Sequence, residues 1–290
     1  MRAVPTVLSI AGSDSGGGAG IQADLKAFAR CGVHGMTAIT ALTAQNTVGV
    51  TQIHPIPRDF IVEQVRVVEE DLGVDAVKIG MLGTAETVHA VAEALDLLDP
   101  GTPIVIDPVM VAESGAVLLD DEARAALADE LLPRATVITP NVPEARVLAG
   151  DGREARGRPG NARDARVLAG EGEPAELARA LHALGPENVV VTGGHREDVI
   201  DLFYDGHEIV EIAGPRHPDG AAHGSGCTHS SALAAYLALG HSPLDAARKA
   251  RHTAAEAVRA GLRDLGAGAG PVDVFDLTRT NSPAAIRRVT

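Results

Sequence analysis

The sequence predicts an α/β protein with a mostly parallel sheet that is covered by helices on both faces. Short apolar runs, rich in β-branched residues, alternate with longer segments of helical periodicity along the 290 residues. Glycine-rich or acidic turns follow several of the apolar runs, at the edge where parallel sheets place their ligand sites. No segment has the composition of a linker, so we predict a single domain over residues 1–290.

The predicted elements follow from apolar runs, caps and turns taken in chain order. The predicted strands are residues 4–10, 35–41, 50–56, 75–79, 103–106, 135–138, 188–192, 199–204 and 207–212. The predicted helices are residues 21–30, 58–72, 84–98, 121–132, 174–184, 227–239 and 243–260, with one more starting after Asn141. Thr84 is placed to cap its helix, and Asp205-Gly206 is typical of a hairpin turn.

The composition excludes several classes of partner. The chain has 25 basic and 39 acidic residues and a net charge of −14, which argues against a nucleic-acid or anionic-membrane surface. It has no apolar run of about 18 residues that would span a membrane. Its two cysteines, Cys31 and Cys227, give neither a disulfide framework nor a zinc spacing. We expect a cytoplasmic protein.

The most informative stretch is residues 223–231, which leads into a helix predicted to begin near Cys227 or Thr228. Three small residues precede that helix: Gly224, Ser225 and Gly226. Exposed N–H groups at a helix start attract anions, and the same field favours a cysteine thiolate. The stretch therefore predicts an anion cradle with an ionisable Cys227. A glycine-rich helix start with a buried structural cysteine is an equally open interpretation.

A second glycine-rich loop, residues 11–20, joins the first strand to the first helix. A Walker A loop requires Gly-Lys-Ser/Thr, and no lysine follows these glycines directly. A dinucleotide fingerprint requires an acidic residue about 20 positions on, and residues 36–44 contain none. The loop therefore indicates a ligand site of another kind.

Polar residues also follow later strands. Asp107 comes directly after strand 103–106, where it is either a chemical group or a plain turn residue before proline. Asn141 is a candidate N-cap, with Glu144 in the capping-box position three residues on. That capping role is compatible with a functional one.

Residues 150–174 interrupt the alternation and are nearly free of large apolar side chains. The segment 145–152 returns almost unchanged as 165–172, which indicates a local duplication. We predict that residues 150–174 form an inserted surface loop without an assigned function.

Seven motifs occur in order along the chain. They are AGSDSGGGAGIQADLK at 11–26, TALTAQNT at 40–47, KIGML at 78–82, DPVM at 107–110, TPNVPE at 139–144, GGH at 193–195 and HGSGCT at 223–228. Together they closely resemble the hydroxymethylpyrimidine/phosphomethylpyrimidine kinases of thiamine biosynthesis, within the ribokinase-like superfamily. The resemblance runs from about residue 6 to 260, apart from the duplicated segment.

The resemblance implies a three-layer α/β/α fold with short lid strands, a homodimer, and a kinase that uses ATP and Mg²⁺. Such enzymes phosphorylate 4-amino-5-hydroxymethyl-2-methylpyrimidine and then its monophosphate. Carried over by position, the residues lining the pyrimidine pocket would be Gly12, Asp24, Gln45, Met81 and Val109. A carboxylate and a carboxamide complement the donor and acceptors of an aminopyrimidine ring. In the alternative interpretation Asp24 is a helix cap, Gln45 is a surface amide, and Met81 and Val109 are ordinary core residues.

The same resemblance assigns the phosphate side of the site. Cys227 would be the base for the substrate hydroxyl, with His223 assisting and the backbone N–H groups from Gly224 to Cys227, including Gly226, in the anion hole. The nucleotide contacts would be Asn141, Glu144, Thr192, Gly194 and Ser225, and the Mg²⁺ contacts Asp107 and Glu144. The sequence departs from the family at Thr192, where a lysine is common. Arg196 is one candidate to replace the missing charge.

Three other functions stay open at this point. A pyridoxal or pyridoxine kinase would share the glycine-cysteine loop and its upstream histidine. A thiol hydrolase or acyltransferase would use Cys227 with His223, but needs a third residue to orient the histidine. A non-catalytic pyrimidine sensor would keep the fold and lose nucleotide binding.

Overall fold

A computed structural model describes residues 4–111, 118–155, 173–193, 200–218 and 220–277. Within these ranges, no helix is both long enough and apolar enough to cross a bilayer. The described strands form one sheet with the order β3-β2-β1-β4-β5-β6-β7-β8-β9. The strands are β1 Thr6–Asp14, β2 His34–Gln45, β3 Val50–Pro55, β4 Ala76–Ile79, β5 Ile104–Ile106, β6 Val137–Ile138, β7 Asn188–Val191, β8 Ile200–Tyr204 and β9 Ile209–Ala213.

The centre of this sheet is parallel and its edges are antiparallel. β2, β1, β4, β5, β6 and β7 pair in parallel, so their carboxyl ends meet along one edge. β3 pairs with β2, β8 with β7 and β9 with β8 in antiparallel fashion. Asp205 Oδ1 accepts from His207 N and Glu208 N in the β8–β9 turn, which confirms the predicted hairpin.

The described helices cover both faces of the sheet. They are α1 Gly20–Cys31, α2 Arg58–Asp71, α3 Ala85–Leu95, α4 Asp121–Ala126, α5 Val142–Ala155, α6 Pro174–His182, α7 Ser225–Ala238 and α8 Pro243–Arg259. Apolar residues of α2 to α6 share one core, and those of α1, α7 and α8 share the other. Leu8 and Ile10 face the first core and Val7 the second, because side chains alternate along a strand.

Side-chain caps start several helices as local sequence predicts. Thr84 Oγ1 accepts from Thr87 N at 3.3 Å, which confirms the predicted cap of α3. Asp120 and Ser242 cap α4 and α8 in the same way.

The structure corrects some predicted boundaries. α7 begins at Ser225, two residues before the predicted start, because Gly224 adopts a left-handed conformation and serves as N-cap. The predicted helix 121–132 ends as α-helix at Ala126 and continues as a π turn, Leu127–Leu131, and a 3₁₀ turn, Leu132–Arg134. Pro133 has no N–H with which to extend it.

The predicted surface loop 150–174 begins later than expected. α5 continues through Gly150 to Ala155, anchored by the buried side chains of Leu148 and Ala149. Residues 156–172, which contain the repeated segment, lie outside the described residues.

Candidate active site

The start of α7 and the first glycine loop pack against each other at the carboxyl edge of the sheet. Gly224 has φ of 82°, and a Cβ there would overlap the carbonyl oxygen of Gly18. Any larger residue at 224 would push the two loops apart. The two glycine-rich loops therefore make a direct backbone contact.

Only some of the backbone N–H groups in the predicted anion hole lack an acceptor among the described residues. Ser225 N donates to Ala222 O, and Thr228 N donates to Gly224 O. The N–H groups of Gly226 and Cys227 have no acceptor among the described residues. Both point from the first turn of α7, where the helix dipole favours an anion. The backbone contribution of Ser225 to a phosphate is therefore corrected: its N–H is already used.

Cys227 is partly exposed, and its thiol accepts from the N–H of Gly20. Although the residue is partly exposed, desolvation by the protein around its thiol raises the pKa of Cys227 to about 12, and the charges of Asp24 and Asp107 add to this effect against the opposing charge of Lys78. The sequence-based expectation of a helix-stabilised thiolate is wrong for the protein without ligands. Desolvation and neighbouring carboxylates outweigh the helix terminus.

A buried ion pair lies behind Cys227. Lys78 and Asp24 are both fully buried, and Lys78 Nζ lies 2.9 Å from Asp24 Oδ1 and 3.1 Å from Oδ2. Burial alone would lower the pKa of Lys78, but the charges of Asp24, Cys227 and Asp107 raise it above its ordinary value. Lys78 therefore keeps its charge in the interior.

The position of Asp24 corrects its predicted role in the pyrimidine pocket. Besides Lys78, its oxygens accept from Ser9 Oγ at 2.6 Å and from Ser231 Oγ at 2.7 Å. With no exposed surface and three donors in place, the carboxylate does not line an open pocket. It ties α7 to β1 and β4 instead.

Asp107 lies where β5 ends and faces the start of α7. Ser230 Oγ donates to Asp107 Oδ2 at 3.0 Å, and a Cβ on Gly226 would lie 3.9 Å from the same oxygen. Asp107 is 6% exposed, and burial raises its pKa although Lys78 and the Ser230 hydroxyl oppose the shift. The predicted metal contact is thus beside the anion hole.

Asn141 and Glu144 form the predicted capping box at the start of α5. Asn141 N donates to Glu144 Oε2 at 2.9 Å, and Glu144 N donates to Asn141 Oδ1 at 2.9 Å. Burial, aided by the charge of Asp107, raises the pKa of Glu144 to about 8. The capping role is confirmed.

These two carboxylates suit a hard cation. Burial raises the pKa of each, and Lys78 and Ser230 offset only part of the shift at Asp107, so a bound cation would favour the charged form of both. Among the described residues no cluster of three or more His, Cys, Asp or Glu side chains forms a closed metal cage. Mg²⁺ is commonly held by one or two carboxylates together with waters and substrate phosphates, so Asp107 and Glu144 fit it.

Thr192 lies next to Asn141 at the end of β7, with Thr192 N donating to Pro140 O at 2.9 Å. Gly193 N donates to Asp201 Oδ1 at 3.0 Å. Asp201 Oδ2 also lies 3.4 Å from His229 Nε2, so a buried carboxylate joins this loop to α7. Gly194 and Arg196 lie outside the described residues.

The residues predicted for the pyrimidine pocket, apart from Asp24, have uncharged side chains, and we call the part of the site that they form its neutral half and the part around Asp107 and Glu144 its charged half. Met81 lies against Gly12, where a Cβ would overlap the methionine Cε, and Thr40 Oγ1 donates to Met81 O at 2.8 Å. Gly20, whose N–H contacts Cys227, packs on the carbonyl of Gly12. Val109 and Gln45 are partly exposed at the ends of neighbouring segments. Four of the five predicted pocket residues therefore remain candidates: Gly12, Gln45, Met81 and Val109.

His223 has a carboxylate partner that sequence reasoning missed. Its Nε2 lies 3.4 Å from Asp14 Oδ2, and Asp14 also accepts from the N–H groups of Gly16, Gly18 and Ala19. Burial alone would raise the pKa of Asp14, but His223 and these N–H groups hold it below its usual range. Asp14 thus joins His223 to the first glycine loop.

The sequence model of the family described as phosphomethylpyrimidine kinase matches residues 14–273. The chain belongs to this family. It is 45% identical over 272 residues to a hydroxymethylpyrimidine/phosphomethylpyrimidine kinase of Rhizobium meliloti, covering 92% of this chain and 96% of that protein. It is also 43% identical to a thiamine biosynthesis bifunctional protein of Geobacter sulfurreducens, of which it spans 52%.

Solved structures support the same fold. The pyridoxal kinase of Staphylococcus aureus in complex with AMP-PCP and pyridoxal has a TM-score of 0.79 and 32% identity over 96% of both chains. The phosphomethylpyrimidine kinase of Clostridium difficile has a TM-score of 0.67 and 37% identity, covering 85% of this chain and 96% of that one. The fold is the ribokinase-like α/β/α fold that the motifs indicated.

The residues that sequence reasoning missed in this phosphomethylpyrimidine kinase family member are mostly partners of buried charges. Lys78 stands in the apolar strand β4, and a lysine in such a strand must be paired. A lysine at this position of an apolar strand was therefore itself a sequence signal for a buried ion pair. Ser230 and Ser231 carry no comparable signal, because serine is common in helices that pack closely.

Proposed function

We propose that this chain transfers the γ-phosphoryl group of ATP to 4-amino-5-hydroxymethyl-2-methylpyrimidine and then to the resulting monophosphate. The observation that carries the proposal is the position of Cys227 between the two halves of the cleft. Its thiol contacts Gly20, which packs on Gly12 of the neutral half. Gly226, the residue before it, approaches Asp107 of the charged half, and the charge of Asp107 acts on the thiol.

The charged half suits the demands of phosphoryl transfer. Negative charge on the moving group requires donors that are in place beforehand, and the N–H groups of Gly226 and Cys227 provide them. Asp107 and Glu144 would hold Mg²⁺, which would neutralise charge on the nucleotide phosphates. The substrate hydroxyl would lie against the Cys227 thiol, which orients it. Removing its proton requires that bound ligands lower the pKa of that thiol.

Relatives support the nucleotide as well as the acceptor. The curated relative from Rhizobium meliloti is a hydroxymethylpyrimidine/phosphomethylpyrimidine kinase, and a solved pyridoxal kinase relative holds AMP-PCP. The homodimer that the resemblance implies is a further proposal. It is consistent with the exposed apolar side chains of Leu42, Val48 and Ile53 around β3, and light scattering at several concentrations would test it.

A pyridoxal kinase is the second candidate. It is favoured by the likeness to solved pyridoxal kinases from Staphylococcus aureus over 96% of this chain. It is less favoured by the curated relatives, which match at 40 to 45% identity and carry the pyrimidine kinase name.

The test is ADP release by the purified protein with ATP, measured separately with the pyrimidine alcohol, its monophosphate and pyridoxal. Each assay is run with Mg²⁺ and again with an excess of chelator. We expect turnover of both pyrimidines, at least about tenfold faster than pyridoxal in kcat/KM, and no turnover in chelator. Turnover of pyridoxal alone would overturn the proposal in favour of the second candidate. Tight binding of the pyrimidine without any ADP release would favour a sensor.

A further inference from the structure

A loop that follows α8, residues 262–271, folds back onto the site, and we call it the 262–271 loop. Leu262 N donates to Pro271 O at 2.9 Å, which closes the loop at its base. Gly270 and Pro271 are buried, whereas residues 263–267 are exposed. The loop therefore projects outward from a buried base.

The base of the loop is joined to the segment that carries His223. His223 N donates to Gly270 O at 3.3 Å, and Val272 N donates to His223 O at 3.0 Å. Gly18 of the first glycine loop faces the same place, because a Cβ there would overlap the His223 ring and lie 3.2 Å from Pro271 Cβ. The base is thus fixed beside both glycine-rich loops of the site.

The outer part of the loop contacts the turn between β2 and β3, residues 46–49. Gly268 N donates to Thr47 Oγ1 at 3.2 Å, across 221 positions of the chain. A Cβ on Gly268 would overlap the carbonyl oxygen of Thr47. Gly268 has no positive φ, so its backbone conformation would accept alanine and only the approach of Thr47 excludes it.

The β2–β3 turn continues directly from the acceptor side of the cleft. It begins after Gln45, whose main-chain N–H and C=O each bond to Ser15 Oγ at 2.8 Å. A Cβ on Gly16 would lie 3.2 Å from Asn46 Cα, so the first glycine loop packs against the start of the turn. The first glycine loop therefore supports one side of the turn, and Gly268 supports the other.

We infer that Gly268 is a positioning residue for the acceptor, because its close contact with Thr47 holds the β2–β3 turn against the site. The turn has little burial of its own, since Val48 at its tip is 63% exposed. The side-chain oxygens of Asp107 and Glu144 bond to residues outside the 262–271 loop, so the contact acts on the acceptor side and not on the phosphate side. This inference rests on the proposed function, which names the acceptor.

The test is steady-state kinetics of Gly268→Ala with the pyrimidine alcohol and ATP. The added methyl group displaces the exposed turn, since the base of the loop is buried. We expect KM for the alcohol to rise roughly tenfold, with KM for ATP and kcat within about twofold of wild type. Calorimetry should show the same loss of affinity for the alcohol and none for ADP.

A purely structural role of Gly268 predicts a different result. It would lower the fraction of active protein, and therefore kcat, and would leave both KM values unchanged. The matched control is Gly49→Ala in the same turn, where a Cβ meets nothing within 4 Å and φ is not positive. We expect Gly49→Ala to leave both KM values unchanged.

Thr47 provides a second pair of variants. Thr47→Val keeps the volume and removes the oxygen that accepts from Gly268 N, so KM for the alcohol should rise about three- to fivefold. Thr47→Ser keeps that oxygen and should keep the wild-type KM.

The inference would be overturned if KM for the alcohol in Gly268→Ala stayed within about twofold of wild type, or if both KM values rose equally. If Gly268→Ala does not fold, the Thr47 pair decides: a rise in Thr47→Val alone supports the inference, and equal KM values in the two variants overturn it. Failure of the proposed function looks different, because the wild type would then turn over pyridoxal alone. The same comparison of KM values, made with pyridoxal, would still decide the role of Gly268.

Discussion

The two halves of the cleft differ in how their polar groups are satisfied. The half beside α7 holds buried charges close together: Asp24, Lys78, Asp107 and Glu144, with Cys227 at their edge. The half beside β3 holds the uncharged groups of Gly12, Gln45 and Met81, next to the buried carboxylate of Asp14, whose charge is compensated by His223 and backbone N–H groups. The first half suits a reaction that moves negative charge, and the second suits recognition of a ring by hydrogen-bond direction.

The difference also affects stability. Burial of Asp107 and Glu144 costs stability in the free protein, as their raised pKa values indicate. In the other half the pKa of the buried Asp14 is lowered, so its charge carries no such cost. Removing the charge of Asp107 or Glu144 should therefore raise stability and lower activity.

The largest effect is expected from Lys78→Met. It would leave Asp24 as a buried carboxylate with two hydroxyl donors and no cation, at a cost of about 3–5 kcal/mol in the free energy of unfolding. Urea denaturation measures this. The double variant Lys78→Met/Asp24→Asn is expected to recover part of the loss. Lys249→Met on the exposed face of α8 is the control, with a change of about 0.5 kcal/mol or less.

A loss below about 1 kcal/mol in Lys78→Met would contradict the ion pair. So would a double variant that is less stable than Lys78→Met alone.

The second prediction concerns alkylation of Cys227 by iodoacetamide. With a pKa of about 12 the thiolate fraction at pH 8 is minute, so the free protein should react about a thousandfold more slowly than an ordinary thiol. The rate should keep rising with pH beyond pH 9. Mass spectrometry of the cysteine peptides separates Cys227 from Cys31. The unfolded protein provides the reference rate, and an equal rate in the folded protein would contradict the account.

The third prediction concerns Glu144→Gln. Glutamine keeps the capping box with Asn141 and removes a cation ligand, so the Mg²⁺ concentration for half-maximal activity should rise about tenfold. In the wild type a proton competes with the cation below pH 8, because the pKa of Glu144 is about 8. Apparent Mg²⁺ affinity should therefore rise by up to about tenfold per pH unit from pH 6 to pH 8 and level off above.

Stability provides the check on this variant. A carboxyl group whose pKa is raised on folding destabilises the folded state once the pH exceeds the pKa of the unfolded state, which is about 4.3. The loss of stability grows until the pH reaches the folded-state pKa of about 8. Glu144→Gln should accordingly be at least as stable as wild type at pH 7, with a gap that widens between pH 5 and pH 8. A variant that is less stable throughout this range would show that Glu144 acts mainly as a cap.

The sequence predicted the fold closely because the signals for it are local. Strand runs, the Thr84 cap and the Asp205-Gly206 turn each follow from neighbouring residues. Boundaries were less accurate where distant packing decides them, as at Gly150, which continues α5. The single-domain organisation stays a prediction.

The site was predicted less completely, because its decisive contacts join distant positions. Asp24 meets Lys78 54 residues away and Ser231 207 residues away, so its burial has no local signal. The thiolate expected at Cys227 rested on the helix start alone and omitted the carboxylates that α1 and β5 bring near it. The capping box of Asn141 and Glu144 is local, and it was predicted correctly.

The division of labour between the halves is the central claim, and steady-state kinetics of the pyrimidine alcohol in Cys227→Ala and Gln45→Ala tests it most directly. Cys227→Ala should lower kcat by roughly a hundredfold with little change in KM, and should affect the monophosphate less, because that acceptor is already ionised. Gln45→Ala should raise KM about tenfold with little change in kcat. If both variants changed the same parameter, or if Gln45→Ala acted mainly on kcat, the division would be contradicted.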